Sequence, residues 1–101
     1  MAFGLENSEI SYLQTIFKKY ENVKEVVLYG SRAKGNFTSR SDIDLVITNS
    51  TIDRFVIANI LMDIDESNIP YSIDLQDYNT IKNNDLKNHI NRLGIQIYKK
   101  S

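Results

Sequence analysis

The sequence holds no cysteine and only one proline, Pro70, in 101 residues. Without cysteine, neither a disulfide framework nor a thiolate metal site is available, which is compatible with a reducing cytoplasm. No apolar run approaches the roughly 18–20 residues that a bilayer-spanning helix needs. The start, MAFGLENSEI, has neither the basic leader nor the long apolar stretch of a secretory signal. The expectation is a soluble cytoplasmic protein with no membrane partner. A basic surplus is missing too: twelve Lys and Arg against thirteen Asp and Glu leave a net charge of −1. A protein gripping duplex nucleic acid through many phosphates carries a clear positive excess. Nucleic acid is therefore not the expected partner, and any basic residues that matter belong to a local site.

What is present suits one domain spanning residues 1–101, with 42% hydrophobic residues and room for a modest core. There is no internal repeat, low-complexity stretch or linker. Ile10, Leu13, Phe17 and Tyr20, with Ile16 alongside, fall at helical spacing and predict an amphipathic helix from Ser8 to Tyr20, capped by Asn7 or Ser8. Val26–Tyr29 reads as a short buried strand stopped by Gly30, followed by a polar loop or short helix. Ile43–Thr48 is the second strand. A helix over Ile52–Glu66 follows, with Ser50 and Asp53 in a capping-box arrangement and a stripe of Phe55, Val56, Ile60 and Ile64. Tyr71–Gln76 alternates as a third strand. Leu86, Ile90 and Leu93 mark a last helix ended by Gly94, and Ile95–Tyr98 suits an edge strand. The order predicts an α/β (α+β) fold, a small mixed sheet with helices packed on it.

Three features concern chemistry. Gly30-Ser31 directly follows a strand; a glycine there permits close backbone approach to a phosphate, and the Ser31 hydroxyl adds a donor. By itself the pair also reads as an ordinary strand-to-helix turn. Asp42-Ile43-Asp44 places two carboxylates on one face of a strand while Ile43, Leu45 and Ile47 take the other. Two anions about 4 Å apart repel by a few kcal/mol in a partly buried site, so they need a cation, a shared proton or full solvation. Magnesium suits such oxygens; a solvated strand end is the plainer alternative. Asp74 occupies the polar face of the third strand and joins the first two if strands two and three are neighbours. A third carboxylate would complete a site able to hold two Mg²⁺ ions and activate a hydroxyl.

Gly30-Ser31-Arg32-Ala33-Lys34-Gly35, followed by Ser41-Asp42-Ile43-Asp44-Leu45 and by Asp74 thirty residues after Asp44, resembles the signature of the minimal nucleotidyltransferase family. That family belongs to the DNA polymerase β-like nucleotidyltransferase superfamily, and the resemblance spans essentially the whole chain. It implies the nucleotidyltransferase fold, with Asp42 and Asp44 ligating two Mg²⁺ ions. Asp74 would complete one metal and serve as, or beside, the base. Gly30 and Ser31 would hold the β- and γ-phosphates of a nucleoside triphosphate, most plausibly ATP, and one of Arg32, Lys34 and Arg40 would meet the triphosphate or pyrophosphate. The implied reaction moves a nucleoside monophosphate onto a hydroxyl. Larger members of the superfamily carry a further acceptor-binding domain, and no acceptor pocket is visible in this sequence. Minimal members pair with a small helical partner of the HEPN type in toxin–antitoxin modules, as the antitoxin that transfers AMP to a partner tyrosine. Two other readings stay open: a binding module that neutralises such a partner by contact, and an antibiotic-type modifier of small molecules.

The remaining polar residues read as structural. His89, the sole histidine, suits a surface or cap role on the last helix. Tyr12, Tyr20 and Tyr98 fit half-buried positions, Asn83-Asn84-Asp85 fits turn and cap chemistry, and Lys99-Lys100 a polar tail. A small domain with an open sheet edge is also a candidate for self-association, with no residue singled out for it.

Overall fold

The computed structural model describes residues 3–100. Its elements are α1 (Asn7–Lys18), β1 (Glu25–Tyr29), the one-turn α2 (Ser31–Lys34), β2 (Ile43–Thr48), α3 (Arg54–Asp65), β3 (Ile73–Asp77), a 3₁₀ turn (Tyr78–Thr80), α4 (Asn84–Leu93) and β4 (Ile95–Lys99). The four strands form one mixed sheet in the order β3-β2-β1-β4. β1 runs antiparallel to both β2 and β4, whereas β2 and β3 are parallel, joined by the α3 crossover. Parallel neighbours need such a crossover because a tight turn can only reverse the chain. The expected sandwich of mixed sheet and helices is what forms, and among the described residues no helix is long and apolar enough to cross a membrane.

The two faces of the sheet are dressed unequally. Leu13, Ile16 and Phe17 of α1 and Ile60 and Ile64 of α3 bury one face against Val26, Leu28, Ile43, Leu45 and Ile47. Burying side chains of that size fully stabilises the fold by about 1.5–3 kcal/mol each. The other face carries a smaller cluster of Tyr29, Val46, Ile81 and Ile90 beneath α4. Val46, on the same face as Asp44, is fully buried, because α4 roofs the part of that face next to it. The carboxylate face is thus half-roofed, and a cleft opens where the roof stops.

Local details differ from the sequence pattern in six places. α1 is capped by Glu6 rather than Asn7 or Ser8, and the Glu6 N–H donates to Glu9 Oε1 at 2.8 Å. α3 is capped by Asp53, which accepts the Phe55 N–H at 2.8 Å; Ser50 instead donates to the Thr48 carbonyl and closes the turn after β2. Phe55 leaves the expected apolar stripe and stands 63% exposed, since at 3.6 residues per turn it falls on the opposite side of α3 from the buried Ile60 and Ile64. Gly94 ends α4 without a left-handed turn (φ −64°). It is glycine because a Cβ there would lie 2.4 Å from the Ile90 carbonyl oxygen and 2.5 Å from Val27 Cγ1. β3 begins at Ile73 rather than Tyr71, and Lys99, expected in a polar tail, pairs with Glu25 at the end of β4.

Tyr20 ties the end of α1 to α3. Its hydroxyl donates to Asp63 Oδ2, which also pairs with Lys19 Nζ at 3.0 Å. Burial first, then this bond and the Asp63 charge, push the phenol from 10 to about 12. The folded state therefore keeps this proton to higher pH than the unfolded chain does. Its contribution is full below pH 10 and is lost as pH rises from 10 to about 12. Over that window the melting temperature of the wild type is expected to fall more steeply than that of Tyr20→Phe. Parallel slopes would show that the hydroxyl does not couple α1 to α3.

Candidate functional site

The site starts at the end of β1, where the chain must turn sharply from Tyr29 into α2. Gly30 makes that turn at φ 78° and ψ −155°, a region that side chains with a Cβ rarely occupy. A Cβ there would lie 2.2 Å from Asp44 Oδ2, so the glycine also makes room for the carboxylate. Gly30→Ala therefore combines left-handed strain with displacement of Asp44. A loss of about 2 kcal/mol in urea unfolding is expected, and unchanged stability would mean that the carboxylate swings aside at no cost.

Strand register aligns the acidic groups. Tyr29 pairs with Asp44 across β1 and β2, and Asp44 pairs with Asp74 across β2 and β3. Side chains at paired positions of neighbouring strands stand on the same face, so the three form one row. Gln76, two residues along from Asp74, extends its amide Nε2 to the Tyr29 hydroxyl at 3.0 Å and to Asp74 Oδ2 at 3.3 Å. The row floors an open cleft of about 620 Å³, whose walls include Gly30, Ser31, Lys34, Asn36, Asp85 and His89.

Charge of one sign is concentrated on this floor. Burial first, then the carboxylates of Asp74 and Asp42, raise the Asp44 acid above its ordinary value. The Tyr29 phenol is pushed up to about 12 by burial and by the same two strands' carboxylates, Asp74 and Asp44. Burial first, then the cations of Lys34 and Arg92, lower the pKa of the His89 imidazole and so disfavour its charged form. Its Nε2 accepts the Gly30 N–H at 2.9 Å, and its ring meets Tyr29 edge-on.

Of the residues singled out from the sequence, the fold brings Gly30, Ser31, Lys34, Asp44 and Asp74 into this cleft. Asp42 lies just before β2, exposed, and acts on Asp44 from the margin. Among the described residues, no three His, Cys, Asp or Glu side chains converge into a ready-made metal cage. The donor set nevertheless fits a hard divalent cation. Neighbouring carboxylates, one of them destabilised as an anion, are the groups that Mg²⁺ uses when substrate phosphates supply its other ligands. Arg40 is exposed in the 38–41 turn and does not line the cleft.

Arg32 points the other way. It is 2% exposed, its Nε and Nη2 donate to the Ser41 carbonyl, and its Nη1 donates to the Phe3 carbonyl at 2.8 Å. The guanidinium lies between the rings of Phe37 and Tyr71, at 5.2 and 4.8 Å from their centroids. Its donors serve the loop between α2 and β2 and the segment before α1, which leaves Lys34 as the cation among the three that lines the cleft. Sequence reasoning missed Tyr29, Gln76 and His89. The signal for the histidine was available: it interrupts the apolar stripe Leu86, Ile90, Leu93 at helical spacing.

A family model described as "Polymerase beta, Nucleotidyltransferase" matches residues 11–101. No curated protein matches the chain. Among solved structures, a toxin–antitoxin crystallised with AMP-PNP superposes with a TM-score of 0.70 at 20% identity, covering 96% of this chain and 76% of that one. The toxin–antitoxin MntA–HepT gives 0.62 at 15% identity, covering 94% and 74%. A nucleotidyltransferase candidate from Sulfolobus solfataricus gives 0.54 at 17% identity, covering 90% and 77%. At these identities the superpositions speak for the shared fold.

Proposed function

We propose, from the premise that this chain belongs to the polymerase β nucleotidyltransferase family, that its cleft transfers AMP from ATP to a hydroxyl on a partner protein. The partner is a small helical protein of the HEPN type, and this chain is the antitoxin of the pair. One observation carries the reading: Asp44 and Asp74 stand in register beside Gly30 and Ser31 in a single cleft. A relative of the same fold was crystallised as a toxin–antitoxin with a nucleotide analogue, which supports both substrate and partner.

In this reading Asp42, Asp44 and Asp74 would hold two Mg²⁺ ions, and Gly30 and Ser31 would hold the β- and γ-phosphates. Lys34 balances charge on the departing pyrophosphate, with Arg40 as an outer cation. Bound Mg²⁺ supplies charge neutralisation along the triphosphate and lowers the pKa of an oxygen it touches. The acceptor oxygen attacks the α-phosphorus, the bond from that phosphorus to the bridging oxygen breaks, and pyrophosphate leaves with the bond's electrons. Asp74, on the open side of the row, takes the hydroxyl proton directly or through water. Gln76 restrains Asp74 while it does so. Such chemistry depends mainly on positioning and charge neutralisation.

A second reading is neutralisation by contact, with the cleft idle. Phe55 and Met62, 63% and 61% exposed, stand seven residues apart on one side of α3 and favour it. One experiment separates the two. The protein is incubated with Mg²⁺, labelled ATP and its co-expressed partner, then the assay is repeated with Asp42→Ala and Asp44→Ala. Label on the partner that disappears with both variants is the expected result. Neutralisation that persists in both variants, with no label in any sample, would sink transfer in favour of contact. An antibiotic-type activity predicts label on a small molecule and none on the partner.

A further inference from the structure

Gly30 is anchored at both of its peptide groups. Its carbonyl accepts the Lys34 N–H at 3.1 Å within α2, and its N–H donates to His89 Nε2 at 2.9 Å. That N–H lies beyond Tyr29↔Asp44, the last pair of the β1–β2 ladder, and before the first helical donor. Neither sheet nor helix supplies its acceptor; α4 does, through one side chain. An imidazole that accepts at Nε2 carries its proton on Nδ1 and is neutral. The ring cannot drift far, because its neighbour Ile90 is buried in the second core and its edge rests on Tyr29 at 6.1 Å between ring centroids.

Glycine has the widest conformational range of any residue, so a turn built on it is defined only as well as its anchors define it. Rotation about Gly30 would swing the next peptide group and Ser31, which lines the cleft. We infer that His89 is a positioning residue for nucleotide binding: by accepting the Gly30 N–H it fixes the turn that aims Ser31 at the triphosphate, and so couples α4 to phosphate affinity. The inference rests on reading the cleft as the nucleotide site. A histidine placed for packing alone would not need its nitrogen here, since Leu86 and Ile90 already supply the apolar contacts of α4.

The test uses the full chain and two probes, MgATP and inorganic tripolyphosphate with Mg²⁺, measured by calorimetry. His89→Ala should weaken both probes about tenfold, equivalent to ~1.4 kcal/mol. His89→Gln, whose amide oxygen can accept the same N–H, should recover most of that loss. Tyr20→Phe, far from the cleft, serves as the stability control and should bind both probes like the wild type. Wild-type affinity in His89→Ala would overturn the inference. So would a loss confined to MgATP, which would place the ring against the nucleoside, or a failure of His89→Gln to restore binding, which would leave it a packing role. If the wild type itself binds neither probe, the nucleotide reading of the cleft falls instead.

Discussion

Asp44→Asn should cost at least about a thousandfold in transfer activity and yet raise the melting temperature of the ligand-free protein. The two effects have one origin. Asp44 is half-buried on a floor it shares with Asp74, with Asp42 at the margin, and burial together with those carboxylates disfavours its anion. A carboxylate whose folded pKa lies above its unfolded value costs the fold stability as pH rises from the unfolded to the folded value, with the full cost above it, so a neutral amide of the same shape relieves the repulsion at pH 7. The same crowding is what makes the site attractive to a divalent cation. With MgATP at a hundred times its dissociation constant, the wild type should gain about 2.7 kcal/mol while the variant gains almost nothing. The order of melting temperatures therefore reverses between ligand-free and ligand-bound samples. A variant that melts lower without ligand would show that Asp44 is a structural acceptor, and one that keeps its activity would remove it from the chemistry.

Arg32→Ala should be strongly destabilising, at about 3 kcal/mol, or a fall in melting temperature of more than ~12 °C for a domain of this size. The guanidinium is buried, and among the described residues the one ion pair is Lys19–Asp63, so no carboxylate answers its charge. Three hydrogen bonds to the Ser41 and Phe3 carbonyls and two aromatic faces hold it instead. Truncation strands both carbonyls and opens a gap between Phe37 and Tyr71. Arg32→Lys should recover less than half, because a single ammonium cannot span two carbonyls in a planar fork or stack between rings. Intact stability with collapsed nucleotide affinity would return Arg32 to the triphosphate, where the sequence pattern first suggested it.

Much of the architecture was legible because it depends on short-range rules. Strands at Val26–Tyr29 and Ile43–Thr48 announce themselves by β-branched apolar runs, and the alternation of Asp44 with Ile43 and Leu45 already separates a polar from an apolar face. The capping residues were less legible. Glu6, Ser50 and Asp53 are all chemically able to end a helix, and which does so depends on how the neighbouring turn closes. Phe55 shows a different limit: its place beside Val56 suggests the apolar stripe, but at 3.6 residues per turn it falls on the opposite side of α3 from Ile60 and Ile64.

The parts and their order follow from the residues read along the chain: a glycine-serine turn after a buried strand, a two-aspartate strand, a third aspartate thirty residues later, and strands alternating with helices. These are local, set by periodicity, backbone freedom and alternation. Which parts meet depends on long-range packing. The parallel pairing of β2 with β3 puts Asp74 beside Asp44 rather than a residue's step away on the opposite face. The packing of α4 over β1 carries His89 to Gly30 across fifty-nine residues. The turn of α2 sends Arg32 inward and leaves Lys34 facing the cleft. Each of these is a contact between segments far apart in the chain, and no spacing rule along one segment can specify what another segment will bring to it.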